Sequence, residues 1–169
     1  MMMQMMHEKK RGSDRANASS AVSSARLQAL SWLMAMAAAL VATSSNAATC
    51  TLSTQGVNFG SYDFLSSQNL DGVGHVVVSC DTSTSYTIGL SPGSGSYMAR
   101  LMTNGPHQLA YNLYTDATQT MVWGDGSSGT AVVDGTGTDV DHTVYGSVPA
   151  GQNPYVGSYS DAITVTLTF

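Results

Sequence analysis

Past residue 47 this 169-residue chain has no lysine, no glutamate and a single arginine, Arg100. That shortage excludes nucleic acid as a partner, because neutralising phosphates takes clustered Lys and Arg. Nine aspartates stand against Arg100, so residues 48–169 carry a formal charge of −8. Without Lys and Glu the segment also lacks good helix formers, whereas Thr, Ser, Gly, Val and Tyr abound and favour strands joined by tight turns. No helical periodicity of useful length is seen there. Long apolar runs are missing as well. Leu27–Val41 is 15 residues, short of the roughly 20 needed for a membrane span. Cysteine is nearly absent, with only Cys50 and Cys80. No Cys/His cluster accompanies them, which speaks against a zinc site.

The front of the chain differs in composition. Residues 1–26 hold Lys9, Lys10, Arg11, Arg15 and Arg26 against Glu8 and Asp14. The apolar run 27–41 follows, and then Ser45 and Ala47 sit at the −3 and −1 positions of a small-x-small site. A basic n-region (1–26), an apolar h-region (27–41) and such a site describe a secretory signal peptide over residues 1–47. Ala47-Ala48-Thr49 before Cys50 is not a lipobox. Residues 48–169 then form one exported domain, large enough for its own core. In an oxidising compartment Cys50 and Cys80 are expected to pair. Closing that loop stabilises the fold by roughly 3–4 kcal/mol on the chain-entropy model.

Strand-like pieces recur along the domain: Val57–Phe59, Gly74–Cys80, Tyr86–Leu90, Arg100–Met102, Leu109–Tyr114, Met121–Trp123, Ala131–Val133, His142–Val148 and Tyr159–Phe169. Between them lie SPGSGS, TNGP, WGDGSSG and DGTGTD, rich in turn residues. Short strands at this spacing point to an all-β fold, either an immunoglobulin-type antiparallel sandwich or a barrel. The last piece is the most regular. Tyr159, Asp161, Ile163, Val165, Leu167 and Phe169 alternate with small or hydroxyl residues, marking one buried and one wet face.

Sites of other chemistry are weakly signalled. Asp139 and Asp141 share one face of an extended segment, with Asp125 and Asp134 in glycine-rich loops, but no calcium-loop pattern is present. His75, His107 and His142 offer bases for a Ser-His-Asp arrangement, yet there is no G-x-S-x-G elbow. No catalytic residue, metal or cofactor is therefore expected, and the chain is read as a non-enzyme. The tyrosines and Trp123 leave a free-standing carbohydrate-binding module as the alternative function. Arg100 is expected to pair with one of the aspartates as a structural ion pair.

Several stretches, in order, resemble the spore coat protein U domain family, which includes subunits of archaic chaperone–usher pili. They are Phe59–Asp63, the Cys80 strand, Tyr86–Leu90 with the following glycine loop and Tyr97–Arg100, LAYNLYTDATQTMVWGDG, VYGSVPAGQ and GSYSDAITVTLTF. The resemblance covers nearly all of residues 48–169. It implies an immunoglobulin-like sandwich lacking its last strand and completed by donor-strand complementation. It further implies a secreted structural or adhesive subunit of a pilus, biofilm or coat, exported through the periplasm to the cell surface. The implied partners are a periplasmic chaperone, an outer-membrane usher and sister subunits. Ile163, Val165, Leu167 and Phe169 are the expected lining of the donor-strand groove. Family pilins carry a donor segment before the first cysteine, whereas only Ala48 and Thr49 stand between the expected cleavage site and Cys50. Such a chain is expected to accept a strand without donating one.

Overall fold

The computed structural model describes residues 4–5 and 47–169. The expected signal peptide lies outside the described residues, apart from Gln4, Met5 and Ala47. Among the described residues there is no helix, so none is long and apolar enough to cross a membrane. The strands are β1 (Gln4–Met5), β2 (Cys50–Gln55), β3 (Leu70–Leu90), β4 (Arg100–Asn104), β5 (His107–Tyr114), β6 (Val133–Val148), β7 (Ala162–Ile163) and β8 (Val165–Thr168).

The hub is β3. GHVVVSC and SYTIGL, read separately in the sequence, are two halves of one 21-residue strand. Its first half pairs antiparallel with β2 and with Asp139–Val148 of β6, and its second half with Val133–Gly137 of β6 and with β8. Between Ser79 and Thr84 the register against β6 shifts, an irregularity of the kind that bends a strand and raises its twist. The main sheet, in the order β2-β3-β6-β5-β4 with β8 added to β3, curls into an antiparallel, immunoglobulin-like sandwich. Its faces share one core: Val76 and Val78 from the first half of β3, Tyr86, Ile88 and Leu90 from the second, with Met102, Leu113, Trp123 and Val144. Each such large side chain contributes on the order of 1.5–3 kcal/mol by leaving water.

Expectations for three segments change, one being Met121–Trp123, which forms no strand and makes only isolated bridges from Val122 to Tyr114 and from Trp123 to Ala131. Val57–Phe59 is not a strand, although Val57 and Phe59 are fully buried. The segment lies flat on the sheet because glycines beneath it carry no side chain. A Cβ at Gly74 would sit 2.6 Å from the Gln55 carbonyl, and one at Gly146 would sit 2.7 Å from the Phe59 ring. DGTGTD, taken for a turn, lies within β6 and pairs with Thr84–Thr87. Gly135 accepts the Tyr86 ring so closely that a Cβ would stand 2.4 Å from it. Glycine there serves packing between strands and not a reversal of the chain.

Arg100 corrects a further expectation. It is fully buried and hydrogen-bonds no carboxylate. Its guanidinium donates to Asn112 Oδ1 (2.6 Å), the Ser91 carbonyl (3.0 and 3.3 Å) and the Trp123 carbonyl (2.7 Å). Burial lowers its pKa, and the nearby Tyr111, Tyr97 and Asp161 work in the opposite direction. The neutral backbone oxygens of Ser91 and Trp123 and the Asn112 side-chain amide satisfy it, which is what a buried cation requires. The one cation of the domain therefore ties together the segments around β4 and β5.

Candidate functional site

The site begins with the edges of β3. One edge pairs with β6 along both halves. The other is shared by two short strands: β2 covers His75–Cys80, and β8 covers Thr87–Leu90. Both run antiparallel to β3, so Thr168 opposite Thr87 and Cys50 opposite Cys80 bring the end of β8 and the start of β2 to neighbouring levels of the same edge. Among the described residues, no strand pairs with the outer edge of β2 or of β8. Short edge strands are where a sheet is open to another chain.

β2 is held by the disulfide. Cys50 and Cys80 are direct cross-strand partners, with S–S at 2.05 Å and Cα atoms 4.1 Å apart. The Asp81 amide donates to the Thr49 carbonyl at 3.0 Å, and the Thr49 amide donates to Asp81 Oδ1 at 3.0 Å. Inward from β2, Leu52 packs half-buried against the core.

The terminal segment follows its alternation closely. Tyr159, Asp161, Ile163, Val165 and Leu167 are buried, and Ser160, Ala162, Thr166 and Thr168 are exposed. The four residues expected to line a groove divide. Ile163, Val165 and Leu167 lie in the core at 0%, 3% and 5% exposure, whereas Phe169, on the same parity, is 41% exposed. The segment starts against β4, where Ser160 and Thr103 exchange backbone bonds of 2.8 and 3.1 Å, and ends against β3. Between these, Ala162–Ile163 pairs in parallel with Gln4–Met5.

Asp161 anchors this segment. Its Oδ1 accepts from the Ser94 amide (3.0 Å), the Ser94 hydroxyl (2.8 Å) and the Ala162 amide (2.9 Å), and its Oδ2 accepts from the Tyr111 hydroxyl (2.7 Å). The sequence signalled this residue as a carboxylate on the apolar parity. Its partners, distant in the chain, carried no signal.

The other candidates are dispersed. Asp139 accepts from the Ser79 hydroxyl at 2.7 Å, Asp141 pairs with His75 Nδ1 at 3.1 Å, and Asp134 accepts from the Thr87 hydroxyl at 3.0 Å. Among the described residues, no three His, Cys, Asp or Glu side chains gather as a metal site would require. His107 stacks on Tyr155 with ring centroids 4.5 Å apart, and His142 Nε2 lies 2.9 Å from the Tyr86 hydroxyl. The three histidines thus serve separate contacts and form no shared constellation.

Comparison with known proteins agrees with this architecture. Residues 36–166 match the spore coat protein U domain. The chain is 37% identical over 127 residues to Protein U of Myxococcus xanthus, covering 67% of this chain and 71% of that protein. Its fold is similar to a chain in the crystal structure of the CsuC–CsuE chaperone–tip adhesion subunit pre-assembly complex, from the archaic chaperone–usher Csu pili of Acinetobacter baumannii. The TM-score there is 0.52 and the identity 21%, over 73% of this chain and 40% of that one. The match to the domain profile and the identity to Protein U place this chain in the spore coat protein U domain family.

Proposed function

We propose that this protein is a secreted structural or adhesive subunit that accepts a donor strand at the outer edges of β2 and β8. The observation that carries the reading is the placement of these two short strands along one border of β3, with no further strand beyond either among the described residues. An inserted strand would gain main-chain hydrogen bonds along that border, and its alternate side chains would extend the core. Half-buried Leu52 and 41%-exposed Phe169 mark the places where the core is thinly covered. Ile163, Val165, Leu167 and Phe169 are the residues of the last strand whose face such a donor would meet.

The donor in the periplasm is a chaperone, and in the assembly a neighbouring subunit; an outer-membrane usher passes the subunit from one to the other. This reading follows the likeness to a pilus subunit fold and makes the protein a component of a surface assembly and not an enzyme. The experiment is expression of the exported domain with and without its cognate periplasmic chaperone. The expected result is a stoichiometric complex and a poorly soluble domain when the chaperone is left out. A monomer that is soluble alone and ignores both chaperone and donor peptides would show that the sandwich is complete.

A further inference from the structure

The outward face of the last strand forms a second site, on the opposite side from the buried stripe. Thr164, Thr166 and Thr168 line one wall of a cleft of about 420 Å³, within the range of small-ligand sites, roughly 300–1,000 Å³. Thr168 is paired directly with Thr87 and Thr166 with Gly89, so these residues share one face of the sheet. The depression exists because residue 89 has no side chain. A Cβ there would make only ordinary contacts, 3.4 Å to the Gly124 carbonyl and 3.6 Å to Asp125 Cα. A Cβ is therefore accommodated there, and glycine leaves that space open.

Tyr97 and Asp125 line the cleft as well. Tyr97 is half-exposed and firmly held: its carbonyl accepts from Asn112 Nδ2 at 3.0 Å, and the buried Arg100 guanidinium backs its ring at 5.7 Å from the centroid. An aromatic ring fixed from behind is a flat apolar platform that costs little ordering on binding. Asp125 Oδ1 already accepts from the Ser127 amide and hydroxyl at 2.9 and 2.6 Å, which positions the carboxylate at the rim.

The charge pattern narrows the ligand. Arg100 is the only cation of residues 48–169, and its donors are spent on Asn112, Ser91 and Trp123. Asp125 repels anions. What remains is a platform, hydroxyl donors and acceptors, threonine methyls and one carboxylate acceptor.

We infer that this cleft is a binding site for a neutral carbohydrate, with Tyr97 stacking on a sugar ring and Asp125 and the threonine hydroxyls bonding its hydroxyl groups. The site lies on the outward face of β8, opposite the buried stripe formed by Ile163, Val165 and Leu167.

The test is amide chemical-shift mapping of the purified domain, alone or with its strand donor, against cello-, malto- and galacto-oligosaccharides at millimolar concentration. At least one of these is expected to shift Thr164, Thr166, Thr168 and Tyr97. Tyr97→Ala should weaken that binding by at least about tenfold, or 1.4 kcal/mol. Tyr97→Phe should retain most of it, and Gly89→Val should block it by filling the floor. Gly89→Val keeps a residue suited to a strand, so it decides the matter even if Tyr97→Ala unfolds. Thr138→Val, on exposed β6 surface, should bind as the parent does. The inference is overturned if none of these saccharides shifts the cleft or if Gly89→Val binds them unchanged.

Discussion

The Tyr111 hydroxyl donates to Asp161 Oδ2 at 2.7 Å, joining β5 to the residue that leads into the last strand. Both side chains are buried, Tyr111 at 2% and Asp161 at 6% exposure. Burial and the neighbouring carboxylate both push the Tyr111 pKa far up, so the phenol stays a donor throughout the accessible pH range. Asp161→Ala would strand that hydroxyl and both Ser94 donors. The expected loss is about 2–4 kcal/mol in urea unfolding, against about 1–3 kcal/mol for Tyr111→Phe.

The disulfide joins direct cross-strand partners at the start of β2. Non-reduced mass spectrometry should find no free thiol in exported protein. Cys50→Ser with Cys80→Ser should lower stability by roughly 3–4 kcal/mol, and hydrogen exchange should rise first in β2, which among the described residues pairs with β3 alone.

At the open border, an extended peptide with alternating apolar residues should raise the melting temperature of the domain. Only the folded state offers it an edge, so stabilisation should reach about 2.7 kcal/mol at a hundredfold excess over Kd. Leu167→Asp buries an unpaired carboxylate at a site 5% exposed. It should destabilise the domain and abolish the peptide effect. A peptide shift unchanged in that variant would place the binding elsewhere.

His142 predicts a pH dependence. Burial lowers its pKa below the ordinary 6.5, and Asp141 opposes that more weakly. The folded state thus prefers the neutral ring that meets Tyr86. Its contribution is complete above about pH 6.5 and falls away as pH drops through that value toward the lower folded pKa. Urea midpoints measured between about pH 7.5 and pH 5 should decline, and His142→Phe should flatten the decline. Asp116, held at about 2 by Thr118, Thr120 and Met121, titrates well below this window.

Gly135→Ala tests the packing of β6 against β3. With Tyr86 ring atoms 2.4 Å from the new Cβ, one strand must move. The expected cost is about 1–3 kcal/mol in thermal or urea unfolding.

What residues 48–169 determined by themselves is local and periodic. The alternation of Tyr159–Leu167 set which side chains are buried, and the structure keeps it residue by residue, because a strand has only two faces. The two cysteines identified their own bridge, having no other partners. Poverty in helix formers excluded helices. Tertiary structure decided whatever depended on distant neighbours. Gly135 and Gly137 resemble turn glycines until Tyr86 and Thr84 are brought beside them. Arg100 looks destined for an aspartate until the fold surrounds it with carbonyls that no spacing could reveal. Phe169 has the parity of Leu167 but lies past the end of β8, so it stays partly in water. The border shared by β2 and β8 also belongs to the fold alone: it arises because two stretches of one long strand, β3, take different partners along one edge, and that pairing is set by register against distant strands, which the linear pattern does not record.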